Sequence, residues 1–86
     1  MSKFTATVAV TLKDSVLDPQ GHTTLQALNA LGFQDAQDLK IGKCFILTVN
    51  SANEAEAKKT VNQACEKLFV NPVIEKSTII NFVKVG

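Results

Sequence analysis

The sequence predicts an α+β fold of the ferredoxin-like kind, β-α-β-β-α-β, with a four-stranded antiparallel sheet carrying both helices on one face. Three observations predict it. The segment Lys3–Leu12 alternates strictly between apolar residues and a mostly threonine set. Two stretches carry leucine, valine and alanine at helical spacing, one closed by Gly32 and the other by Asn71-Pro72. Between them the run Cys44–Val49, CFILTV, is a strong β segment entered through Gly42-Lys43. With 86 residues and no linker or low-complexity tract, residues 1–86 form a single domain.

In the first strand Phe4, Ala6, Val8, Val10 and Leu12 share one side, and Thr5, Thr7, Ala9 and Thr11 share the other. Lys13–Gly21 breaks that alternation, and Asp18-Pro19 combines an N-cap with a first-turn proline, which opens the first helix. Leu25, Leu28 and Leu31 form its stripe, and Gly32 stands where a left-handed cap is wanted. Phe33–Ile41 is polar for a strand but reads as the second one, in a hairpin with Cys44–Val49. Ser51 and Glu54 stand in capping-box spacing at the start of the second helix, whose stripe is Ala57, Val61, Ala64, Cys65 and Leu68. Proline at 72 forces its predecessor out of the helical region, and Val73–Val85 supplies the last strand.

In this layout one sheet face is open. Cys44, Ile46 and Thr48 lie on one side of the third strand and Phe45, Leu47 and Val49 on the other; Ile80 and Phe82 oppose Ile79, Val83 and Val85 in the last. An uncovered face as apolar as this marks an interaction surface, and Phe45, Leu47 and Val49 are its expected oligomer-interface residues.

Composition narrows the function. The nine basic residues are all lysine, with no Trp or Tyr, so bidentate recognition and base stacking lack their usual side chains and no nucleic-acid partner is expected. No apolar run reaches the ~20 residues of a membrane span, so no membrane partner is expected and the location is read as cytoplasmic. Cys44 and Cys65 lack metal-ligand spacing and read as buried thiols in a reducing compartment. The single histidine, His22, has no acidic neighbour closer than Asp18 and reads as a surface residue. Neither Asp35 and Asp38 nor Glu54 and Glu56 read as an acid–base pair, and the lone glycines at 21 and 42 are turn residues rather than phosphate loops. No catalytic, cofactor-binding or metal site is expected. The fold decides no function by itself, and a small-molecule-binding regulatory module stays open as the alternative.

The run Leu12–Gly21, LKDSVLDPQG, followed by Leu31-Gly32, Ile41-Gly42-Lys43 and Asn71-Pro72-Val73-Ile74-Glu75, resembles the PurS family, the small subunit of phosphoribosylformylglycinamidine synthase. The likeness covers nearly the whole chain in the same order. It implies a non-catalytic subunit in de novo purine biosynthesis. There a large synthetase subunit, using ATP and magnesium, converts formylglycinamide ribonucleotide to formylglycinamidine ribonucleotide with ammonia from a separate glutaminase subunit. The small subunit, a homodimer or homotetramer with no cofactor of its own, then joins those two partners and supports ammonia transfer. Carried over as partner-contacting residues are Lys13, Val16, Leu17, Asp18, Pro19, Gln20 and Gly21, with Gly42, Lys43, Asn71 and Pro72. Lys40 stands where the family usually has arginine before the Ile-Gly-Lys turn.

Overall fold

A computed structural model describes all residues, Met1–Gly86. Its elements are β1 (Ser2–Leu12), α1 (Pro19–Ala30), β2 (Lys43–Ser51), α2 (Glu54–Ala64), extended by a π-helical turn over Cys65–Phe69, and β3 (Glu75–Lys84). The sheet is antiparallel in the order β2-β1-β3, with three strands rather than the four expected.

The missing strand is Phe33–Ile41, and local hydrogen bonds explain its loss. Gly32, at φ 107°, turns the chain out of α1. The Asn29 side-chain amide then donates to the carbonyls of Phe33 and Ala36, at 2.8 and 3.2 Å, and the Gln34 side chain donates back to the Asn29 carbonyl at 2.7 Å. Backbone groups engaged this way have left the strand ladder. The segment folds back on α1 instead, with Leu25, Leu28, Ala36 and Leu39 half-buried.

As a result α1 does not pack on the sheet, which corrects the expectation of two helices on one face; only α2 and its π turn cover it. The lobe of α1 and residues 31–41 stands off the sheet end, and the molecule is 51 Å long. Its radius of gyration of 16.3 Å exceeds the ~12 Å of a compact domain this size.

The core lies between β1 and α2: Ala6, Val8 and Val10 pack against Val61 and Cys65. Register decides which face each strand residue takes. Phe4, Ala6 and Val8 stand opposite Val49, Leu47 and Phe45, so Phe45, Leu47 and Val49 share the helix-covered face with the core. The expectation that they line the open face is therefore overturned. Phe45 stacks on Phe69 at 4.1 Å between ring centres, and Leu47 packs on the same cluster. The open face carries Cys44, Ile46 and Thr48 beside the β1 threonines, and the Thr5 and Thr48 hydroxyls are 2.9 Å apart. Cys44 is accordingly exposed, not buried; Cys65 is buried, and both are free thiols.

A register shift opposite Thr7 and Val8 leaves Ile80 as an extra residue in β3, so Ile79 and Phe82, expected on opposite sides, both reach the core. The α2 cap also moves. Asn53, not Ser51, accepts the first free amide, from Glu56 at 2.9 Å, while Ser51 ends β2 as a buried residue. The π turn, closed by the Val70 amide on the Cys65 carbonyl at 3.0 Å, turns Phe69 inward and leaves Leu68 80% exposed.

Candidate functional site

Antiparallel pairing puts the C-terminus of β1 and the N-termini of β2 and β3 at one end of the sheet. Leu12 faces Glu75, and Val10 faces both Lys43 and Ser77. The three loops singled out in the sequence, residues 13–21, 42–43 and 71–72, therefore converge there.

Hydrogen bonds between the loops fasten them. The Lys13 ammonium donates to the Pro72 carbonyl at 2.6 Å, and the Lys13 amide donates to the Ile74 carbonyl at 2.8 Å. Lys43 lies 3.6 Å from the Glu75 carboxylate, whose other oxygen accepts the Asn71 amide at 2.8 Å. Asn71 in turn accepts the Val73 amide at 3.1 Å. Asn71 and Pro72 thus form a closed turn held from β1 and β3.

At the entrance to α1, Asp18 is the N-cap and Pro19 begins the helix. One Asp18 oxygen accepts the Gly21 amide at 2.9 Å and the other accepts the Ile41 amide at 3.0 Å. These two donors hold the Asp18 carboxyl below the usual aspartate range. Gln20 contributes its carbonyl to the Thr24 hydroxyl, at 2.9 Å. Gly21 is buried under the Leu39 carbonyl and Gly42, though exposed, lies against the Val10 carbonyl, and a side-chain carbon at either position would strike that backbone oxygen. Both glycines shape the scaffold.

Asp14, Lys40, Glu75 and Lys76 carry the remaining electrostatics; the sequence marks Lys40, where the family usually has arginine, but pairs it with none of the others. Asp14 pairs with Lys40 and lies 3.5 Å from Lys76. Lys40, by hydrogen bond and charge, holds the Asp14 carboxyl down, with Lys76 adding to the effect. The Lys40 ammonium is raised by the same Asp14 carboxylate. The pairs join residues 26 and 62 positions apart, so no local spacing announces them.

Between this end of the sheet and α1 lies an open cleft of about 420 Å³. Asp14, Leu17, Asp18, His22, Asp38 and Lys40 are among its lining residues, and Val16 also faces it. Leu17 is 78% exposed at its rim, and Leu31, Phe33 and Val73 add exposed apolar surface on the same half of the molecule. Shape and charge therefore give a rigid, multi-loop platform edged by apolar side chains.

A family model described as "PurS: Phosphoribosylformylglycinamidine (FGAM) synthase" matches residues 5–81. The chain belongs to the PurS family. It is 39% identical over 75 residues to the PurS subunit of phosphoribosylformylglycinamidine synthase of Archaeoglobus fulgidus, covering 87% of this chain and 94% of that one. The crystal structure of Methanocaldococcus jannaschii PurS, described as one of the subunits of formylglycinamide ribonucleotide amidotransferase in the purine biosynthetic pathway, superposes with a TM-score of 0.81. It is 36% identical and covers 96% of this chain and 99% of its own. A chain of the PurLQS structure from Thermotoga maritima gives a TM-score of 0.84 at 30% identity, covering 99% of this chain and all of that one. Agreement over whole chains extends to this elongated outline, and PurS is a subunit of FGAM synthase.

Proposed function

We propose that this chain is the coupling subunit of a multi-subunit FGAM synthase in the cytoplasm. It joins the synthetase subunit, which uses ATP and magnesium, to the glutaminase subunit and supports ammonia transfer, without a catalytic residue or cofactor of its own. The observation that carries this is the convergence of three family loops on one rigid end of the sheet, cross-braced by Lys13–Pro72, Lys43–Glu75 and Asp18–Ile41. Lys40 and Lys43 are paired within the chain with Asp14 and Glu75, and beside these pairs the apolar Leu17 and Val73 are exposed. Such a surface suits burial against a protein partner. Leu31 and Phe33, exposed where the chain leaves α1, support self-association as a homodimer or homotetramer.

The test is FGAM formation by the synthetase and glutaminase subunits, with and without this chain, from glutamine and from ammonia. Coupling requires that glutamine-driven turnover depend on the chain and ammonia-driven turnover largely not. Equal turnover with and without it refutes the reading.

The cleft beside Asp18 favours a second reading, a regulatory module that binds a small molecule. A ligand that binds only the folded chain must raise its melting temperature, so a shift with a purine intermediate alone would favour that reading over pure assembly.

A further inference from the structure

Residues 17–41 form a body of their own. Leu25, Leu28, Ala36 and Leu39 are half-buried within it, and the hydrogen bonds of the Asn29 and Gln34 amides and of the Asp18 carboxylate have both ends inside it. The sheet side is closed in the same way, by Lys13–Pro72, Lys43–Glu75 and the Lys13 amide on the Ile74 carbonyl. The chain crosses between the two bodies twice, through Asp14–Val16 and through Gly42. No backbone hydrogen bond joins 17–41 to a strand, and none of these residues belongs to the core. One polar bridge spans the gap: Lys40 pairs with Asp14, which lies 3.5 Å from Lys76 of β3.

The geometry points to a hinged arm: residues 17–41 swing as one piece about Asp14–Val16 and Gly42, and the Lys40–Asp14–Lys76 bridge is the latch that sets their angle. Hinges are a few loop residues that absorb the change in backbone angles, and both crossings are short loops. Gly42 passes so near the Val10 carbonyl that any side chain would jam against it, and glycine turns there most freely. The Asp18–Ile41 bond clamps the outgoing and returning chain together, so the two turn as a pair. The latch is built from surface groups, and such pairs are weak and screened by salt, which suits a contact that another charged surface can displace. A helix of 12 residues is about 18 Å long, so a tilt of about 20° moves its far end by about 6 Å. That movement carries Leu31 and Phe33 with it and changes the width of the cleft between α1 and the sheet end. The swing belongs to the chain alone and stands or falls apart from the coupling role.

The test is the measurement of N–H residual dipolar couplings by NMR on the full ¹⁵N-labelled chain in an uncharged aligning medium. Couplings of residues 17–41 are fitted separately from those of the three strands and α2, and they average over the μs–ms range in which hinges move. Each set should fit the structure by itself in every sample. In Lys40→Ala the degree of order of the 17–41 set should fall, relative to the strand set, by roughly a third or more. The same fall is expected for the parent chain at about 1 M salt, where screening acts over roughly 3 Å. Lys58→Ala, which removes a lysine paired with Glu54 instead of the latch, should leave the ratio unchanged. Equal order in the two sets for the parent, for Lys40→Ala and at high salt overturns the hinge. A 17–41 set already less ordered in the parent and indifferent to Lys40→Ala overturns the latch. A 17–41 set that no longer fits α1 once Lys40 is gone signals local unfolding and overturns the rigid arm.

Discussion

The Asp18 carboxylate spans 23 positions of sequence to accept the Ile41 amide at 3.0 Å, while its other oxygen caps α1 on Gly21. One side chain therefore starts a helix and fixes the chain entering β2. Asp18→Asn separates the two tasks, because the amide oxygen can still cap Gly21 while its NH₂ can only oppose the Ile41 N–H. The helical circular dichroism should persist while the Ile41 amide exchanges at least about tenfold faster. An unchanged Ile41 rate would show that the loop is held by other contacts.

Acid should loosen this same end of the molecule. Asp14 and Asp18 both titrate below the ordinary aspartate value when folded, which is about 3.9 in the unfolded chain. A depressed carboxylate stabilises the fold fully above that value, and the contribution is lost as pH falls through the folded pKa. Lys40 is raised, so its contribution is complete below about pH 10.4 and is lost as pH rises through its folded pKa. Melting temperature should be flat near neutrality and fall below about pH 4. In Lys40→Ala the Asp14 titration, followed by NMR, should move up toward its ordinary value. A stationary Asp14 would contradict the cause assigned here.

The faces of the sheet are open to a stability measurement. Phe45 is half-buried and stacked on Phe69, so Phe45→Ala should cost about 2 kcal/mol in urea unfolding, less than a fully buried phenylalanine. Thr7 lies on the open face opposite Ile46, and Thr7→Val should stay within about 0.5 kcal/mol. Equal effects at the two positions would mean that both faces are covered.

These faces show where sequence alone was legible. β1 and the start of α1 are local matters: a period of two, an aspartate cap, a proline in the first turn. For β2 the pattern is apolar on both sides, and only its register against β1 places Phe45 inward and Ile46 outward, a long-range fact. The absent strand has the same origin, since its backbone is taken up by the side chains of Asn29 and Asp18, which no propensity records. The candidate loops were visible as motifs, but Asp14 and Glu75, which tie them together, act on lysines brought near only by the sheet. In α2 the π turn, with no proline or glycine to announce it, replaced Leu68 by Phe69 in the core.

Lys13 and Lys43 brace the loop platform from opposite strands, one on the Pro72 carbonyl and the other on Glu75. Both contacts lie at the surface, where single ion pairs and hydrogen bonds add little to global stability. Their removal should therefore act on the platform rather than the fold. The double variant Lys13→Ala, Lys43→Ala should melt within a few degrees of the parent, yet bind the synthetase subunit at least about tenfold more weakly, a loss of ~1.4 kcal/mol. Titration calorimetry against the synthetase measures the loss, and exchange at Val73 and Ile74 reports whether the 71–74 turn has been released. Unchanged affinity with a released turn would place the partner's contact elsewhere on the molecule. Weakened affinity with the turn intact would assign the lysines a direct contact with the partner.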